Sequence, residues 1–455
     1  MELDTSMNPG TPNEPNELAQ NNTTEVRPVD TADRIKTIDI IRGVGLLGIL
    51  LMNIPGFGID QSAYYYLTHG SYTSTDFYTH KVVSIFFEGT MRGLFSMLFG
   101  AGMILFTMNK KEVPGAVPVI HLYYRRLLWL LFFGVINAYV LLWWGDILFF
   151  YALCGMLLYP FRNSKPRLLI ILGILCFCIA SLKTSLWYNE DREKRLDYLE
   201  AVTAEKSGKK LSAEQKEAKT SWLERENWRP PPERTERNVS RMRSGYITVF
   251  THLLPRNADD ETWGTYHWAI WDCLGMMLIG MALFKIGYFS NKISSGGYTM
   301  GLLIGYGIGI PVAWLIFNKG ELGQVHYGAY LDRYRVNHFT LYDVKRLFIS
   351  LGHASLIMLV YRSRIVPWLM KALSNVGQMA FTNYLMQSII CTLYFHGYGL
   401  GNYNKLSYHQ LYYVVLAVWI FQLIASSIWL KYYRFGPFEW LWRSLTYWKK
   451  QPMKK

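Results

Sequence analysis

Ten apolar stretches, most of them near the roughly 20 residues a helix needs to cross a hydrocarbon core, constrain this 455-residue chain more than any other feature. They cover residues 38–56, 82–108, 122–143, 147–161, 168–186, 267–288, 298–317, 344–361, 376–394 and 411–430; the fourth is short and the second long. In lipid, backbone N–H and C=O groups have no water partner, so each segment must satisfy them within a helix. No alternating strand pattern points to a barrel. The expected fold class is all-α: a polytopic transmembrane helix bundle of about ten spans.

The formal net charge of +14 would by itself suggest a nucleic-acid binder. Its distribution argues against that. Short connections on one side of an even-numbered topology carry Arg34, Lys36, Arg125, Arg126, Arg162, Lys165, Arg167, Lys285, Lys292, Arg362, Arg364, Lys371 and the basic C-terminus. That side, with the N-terminal tail, holds 22 of the 47 Lys and Arg but only nine of the 33 Asp and Glu. The bias predicts cytoplasmic N- and C-termini and makes the charge a topology signal, with the lipid bilayer and not nucleic acid as partner. The loop 318–343 is an exception, with mixed charge on the opposite side.

Five regions follow. Residues 1–33, rich in Asn, Thr, Pro and Glu without an apolar core, read as a disordered cytoplasmic tail. Residues 34–186 carry helices 1–5 and residues 267–447 helices 6–10, followed by a basic tail, 448–455. Between them, 187–266 is a polar extracytoplasmic insert, helix-compatible at first and then broken by Pro230, Pro231 and Pro232. A cap over the outer face is its simplest reading.

Charged and amide side chains inside spans are costly, so they mark candidate sites or buried pairs. Asp39 and Arg42 stand at i, i+3 on the first helix, either as an interfacial ion pair or as an anion site at a cavity mouth. Glu88 and Arg92, at i, i+4, are each followed by a glycine that can bend the helix or admit a ligand. Asp146 suits an N-cap at the fourth helix. Asp272 lies one turn into the sixth. Asn383 and Gln387, one turn apart on the ninth, serve either interhelical hydrogen bonds or a polar pathway.

For catalysis the histidines matter. His80 follows Asp76 by four residues and His69 lies in the same outer loop, so His80 with Asp76 is a candidate base pair. The five cysteines lack metal-site spacing, and no HExxH, P-loop or GxSxG motif occurs. The expectation is no metal and no bound cofactor.

Several blocks are familiar in order: Arg34-Ile-Lys-Thr-Ile-Asp-Ile-Ile-Arg-Gly43, Leu94-Phe-Ser-Met-Leu-Phe-Gly-Ala-Gly102, Val376-Gly-Gln-Met-Ala-Phe-Thr-Asn-Tyr-Leu-Met-Gln-Ser388 and Phe435-Gly-Pro-Phe-Glu-Trp-Leu-Trp-Arg-Ser-Leu-Thr-Tyr447. The chain resembles the YeiB-like family of bacterial membrane proteins, whose C-terminal part is a domain of unknown function. That family is similar to membrane acyltransferases of the heparan-glucosaminide acetyltransferase type, which share the Asp-x-x-Arg-Gly opening matched by Asp39, Arg42 and Gly43. The resemblance implies a bacterial plasma (inner) membrane protein moving an acyl group from cytoplasmic acyl-CoA to an extracytoplasmic acceptor. It also implies a histidine after the first helix, with His69 and His80 matching by position alone. Alternatives are a small-solute transporter, with Glu88, Arg92, Asp146 and Asp272 lining its path, or a scaffold whose insert binds a partner.

Overall fold

The computed structural model describes residues 35–108, 117–226 and 232–455. The expected tail 1–33, Arg34, Lys110 and Lys111, and the breakers Pro230 and Pro231 lie outside the described residues. In chain order the helices are α1 (Lys36–Gly58), α2 (Gln61–His69), α3 (Thr75–Phe86), α4 (Thr90–Met108), α5 (Val119–Val135) and α6 (Leu148–Leu158). There follow α7 (Pro166–Lys206), α8 (Ala213–Glu226), α9 (Pro232–Met242), α10 (Tyr246–Asp259), α11 (Ile270–Lys285) and α12 (Ser295–Val325). The chain closes with α13 (Tyr327–Arg333), α14 (Tyr342–Ser363), α15 (Pro367–Gln378), α16 (Ala380–Phe395), α17 (Leu411–Tyr432) and α18 (Pro437–Tyr447).

The protein is an all-α polytopic membrane bundle, and each of the ten apolar stretches contains helix. They are not equal, however. Among the described residues seven helical segments are long and apolar enough to cross a membrane, and the bent α10–α11 pair adds an eighth. The segment Leu148–Phe161 and the broken pair α15–α16 are shorter. Helix α7 runs on for 41 residues, about 60 Å at 1.5 Å per residue. No helix boundary therefore falls at 186–187, where the insert was expected to begin.

Within the insert, α8 folds back on α7, and both meet α13. Trp222 is buried between Tyr198 and Tyr327. Arg225 pairs with Asp191, and Arg195 reaches Asp332 at 2.8 Å and Glu226 at 3.6 Å. Tyr327 donates to Asp191 at 2.6 Å; burial, and then that carboxylate, push its phenol pKa up. Helices α9 and α10 cover another part of the bundle end: Asn257 donates to the Ala138 carbonyl at 2.7 Å, and the Arg256 guanidinium lies 3.4 Å from the Trp144 ring centre.

Small residues set the closest helix approach, as lipid-embedded packing requires. A Cβ on Gly280 of α11 would sit 2.0 Å from the Met97 carbonyl oxygen of α4, and one on Gly100 would meet the Met277 oxygen at 2.0 Å. Gly280→Ala should force these helices apart and cost about 1–3 kcal/mol, outweighing the gain in helix propensity. A lower Tm of the detergent-purified protein reads the effect. Gly307→Ala, whose Cβ would meet nothing within 4 Å, should leave Tm unchanged or raised.

Candidate functional site

The second apolar stretch breaks where its glycine permits. Gly89 has φ of +72°, and α3 ends just before it while α4 starts just after. A break at membrane depth frees carbonyls that lipid cannot satisfy. One face of α14 supplies the donors. Lys345 donates to the Ser84 carbonyl at 2.8 Å, Arg346 to Gly89 at 3.2 Å, Ser350 to Thr90 at 2.8 Å and His353 to Phe86 at 3.0 Å.

The charges at this break pair across helices. The i, i+4 partnership of Glu88 with Arg92 does not form: Glu88 accepts from Lys345 at 3.0 Å, and Arg92 pairs with Asp272. Asp272 also contacts Arg346, which is fully buried and reaches Asp343 at 3.1 Å. Lys345 and Arg346 escaped the sequence reading. Two adjacent cations opening an apolar stretch on the side where cations are scarce was the signal available for them.

Two cavities flank this network. The first, about 190 Å³, has an apolar wall that includes Phe95, Leu98, Phe99, Met103 and Leu130. Its polar lining comes from Arg42, Arg126, Arg443, Gln378 and Glu439, at the bundle end that holds the start of α1 and the helix α18. Four of these groups have partners, Gln378 among them through the Ser374 hydroxyl at 3.5 Å. Arg42 donates to Asp39 at 2.9 Å, so the i, i+3 pair forms. Glu439 accepts from Phe381 N, Thr382 N and the Thr382 hydroxyl at 2.7, 3.0 and 2.5 Å, which caps α16 from α18. Arg443 lies over the Phe435 ring at 4.2 Å. Arg126 packs over Trp442 at 4.0 Å and has no carboxylate within salt-bridge distance among the described residues.

The second cavity, about 300 Å³, lies toward the opposite ends of these helices. Asn53, Gly56, Glu88, Gly89, Arg92, Trp143, Trp144 and Tyr342 are in its wall. Ile147 is common to both cavities. It follows Asp146, which does more than cap a helix. Asp146 accepts from Phe149 N at 2.9 Å, from Asn137 at 2.8 Å and from the Tyr384 hydroxyl at 3.3 Å.

The other expected site residues lie elsewhere. Asn383 and Gln387 are buried and hydrogen-bond to Ser426 at 2.9 Å and Gln422 at 3.1 Å, as interhelical contacts. The pair of Asp76 with His80 does not form. Asp76 instead accepts from the backbone and side chain of His409 at 2.8 and 2.7 Å. His80 bonds the Tyr64 hydroxyl at 3.0 Å, and His69 faces Glu321 at 3.3 Å. Neither histidine lines the two cavities. Among the described residues, His69, His80 and Glu321 are the one group of three with metal-ligand spacing.

Fold and cavities together define a helical membrane protein with two chambers arranged about a polar core. The chain belongs to the YeiB-like family. It is 30% identical over 443 residues to the uncharacterized protein YxaH of Bacillus subtilis, covering 94% of this chain and 98% of that one. It is also 29% identical over 433 residues to the uncharacterized protein YeiB of Escherichia coli, covering 91% and 96%. Residues 283–449 match the family described as "Protein of unknown function (DUF418)". No solved structure matches the chain.

Proposed function

We propose that this protein is a membrane acyltransferase that takes an acyl group from acyl-CoA on the cytoplasmic side and passes it to an acceptor in the opposite chamber. The reading places it in the bacterial plasma membrane with both termini in the cytoplasm. Arg126 is the observation that carries it: a cation in the wall of a largely apolar cavity, with no carboxylate within salt-bridge distance among the described residues. Such a group favours an anionic ligand with an apolar tail. The cavity of about 190 Å³ is the space this reading offers to the acyl end of the donor. The nucleotide phosphates would stay at the mouth, near Arg42, Arg126 and Arg443, whose planar guanidinium groups suit phosphate.

In the transfer step the acceptor O–H or N–H attacks the thioester carbonyl from the second chamber. A C–O or C–N bond forms, the C–S bond breaks, and the acceptor proton leaves finally with the CoA thiolate. Glu88 is the carboxylate in that chamber suited to take the proton, and Arg92 the donor for the developing oxyanion. His80, His69 and Asp76 receive no part in transfer, because they lie outside both cavities.

Titration of purified protein with acetyl-CoA and longer acyl-CoA esters tests the donor site. Saturable binding is expected, weakened about 10- to 100-fold in Arg126→Ala, the worth of one charged hydrogen bond. Equal affinity in wild type and variant, or no binding in either, overturns the reading.

A further inference from the structure

We propose that His69, His80 and Glu321 form a binding site for one divalent transition-metal ion of the Zn²⁺ type, at the bundle end opposite the termini. The site stands apart from the acyl-transfer reading, since neither histidine borders the two chambers. Its members come from three elements, the end of α2, the middle of α3 and the end of α12. One ligand atom from each lies within 4.8 Å of the other two. An ion bonded at about 2.0–2.2 Å to each would draw them slightly closer. Two imidazoles and a carboxylate suit Zn²⁺ and its neighbours, not Mg²⁺ or Ca²⁺.

The orientation of the rings is the stronger argument. His69 Nδ1 lies 2.7 Å from the Thr68 hydroxyl and 3.3 Å from the Tyr65 carbonyl. His80 Nδ1 lies 3.0 Å from the Tyr64 hydroxyl and 3.3 Å from the Ser84 hydroxyl. Carbonyl and hydroxyl partners on Nδ1 are the outer shell that metal-bound histidines use, and they leave Nε2 of both rings for the ion. With Nδ1 protonated, His69 Nε2 presents a lone pair to the Glu321 carboxylate oxygens at 3.3 and 3.2 Å. Oε2 of Glu321 is buried and accepts no hydrogen bond. In that tautomer two lone-pair donors face each other and call for a positive charge between them. A metal ion supplies it for all three groups at once; a proton on His69 would satisfy only one contact. The other tautomer, with Nε2–H donating to Glu321 and Nδ1 accepting from Thr68, needs no ion, and zinc titration separates the two. Three protein ligands also leave a fourth position open, as in sites where zinc holds water or substrate.

The test uses the full chain, purified in detergent and stripped with chelator. It is then titrated with Zn²⁺, dialysed and assayed for metal by mass spectrometry. One Zn²⁺ per chain should be retained, and Tm should rise with free Zn²⁺, because an ion that binds only the folded state stabilises it. Glu321→Gln, which keeps the side-chain shape, and His80→Ala should each weaken retention by at least about tenfold. Size-exclusion profile and helical circular dichroism of the metal-free variants report whether they fold. Wild-type retention no greater than that of the folded Glu321→Gln variant overturns the site and leaves a His69–Glu321 hydrogen bond in its place.

Discussion

Asp272→Ala is expected to lower stability by about 3–5 kcal/mol, the usual cost of removing one partner from a buried charge cluster. The carboxylate is the hinge of the network: it pairs with Arg92 of α4 and with Arg346 of α14. After its removal Arg346 keeps Asp343 at 3.1 Å, but Arg92 keeps no carboxylate among the described residues. The Arg92 side chain keeps 40% exposure, toward the second cavity, so its orphaned charge is partly solvated and the loss falls at the lower end of that range. Loss of packing predicts a different pattern from loss of charge balance. If balance dominates, Asp272→Asn should cost nearly as much as Asp272→Ala although it keeps the volume. Arg346→Met combined with Asp272→Ala should then be less damaging than the sum of the two changes, by a coupling of about 0.5–3 kcal/mol. Thermal unfolding of wild type, Asp272→Ala, Asp272→Asn, Arg346→Met and the double variant in one detergent measures this. Strict additivity, or an unchanged Tm in Asp272→Ala, would show that these residues do not act as a unit.

The same cluster shows where sequence reasoning reaches and where it stops. Apolar run length declares the helices, because burying backbone polar groups in lipid leaves one solution. The Asp39–Arg42 pair is legible too, since three residues along a helix bring two side chains together wherever the helix lies. Glu88 and Arg92 satisfy the same rule and do not pair. Each finds a partner on another helix, Lys345 and Asp272, at separations of 257 and 180 residues. Local spacing gives the opportunity for a pair, and packing decides it. For Asp76 and His80 the competitor was His409, 333 residues away, whose backbone N–H and ring both reach the carboxylate. Glu321 is a similar case: 252 residues separate it from His69, and no spacing rule covers that distance. The cavities were legible least, because Ile147, their common residue, carries no polar signal in the sequence.

That common residue makes the acyl-transfer reading most vulnerable to test. Ile147→Trp should reduce acyl transfer more than about 100-fold, while affinity for the acyl-CoA donor stays close to that of wild type. The donor's anionic groups would bind near Arg126, and the second chamber would hold the acceptor, so a bulky side chain at the residue that lines both should separate binding from chemistry. A displacement of about 1 Å between reacting groups is enough for a loss of this size. The backbone at Ile147 is anchored, its N–H donating to the Tyr384 hydroxyl at 3.1 Å, so a larger side chain must be accommodated within the cavity walls. Overpacking can itself cost about 1–3 kcal/mol, and Ile147→Ala provides the control. It removes volume at the same point and should retain transfer, with a broadened range of acyl chains. Single-turnover transfer from labelled acyl-CoA, measured beside donor titration, distinguishes the outcomes. Wild-type transfer in Ile147→Trp would mean that the chambers do not communicate through this residue. Parallel loss of donor binding and transfer would mean that the larger side chain fills the donor cavity that Ile147 also lines, and the separation of binding from chemistry would fall.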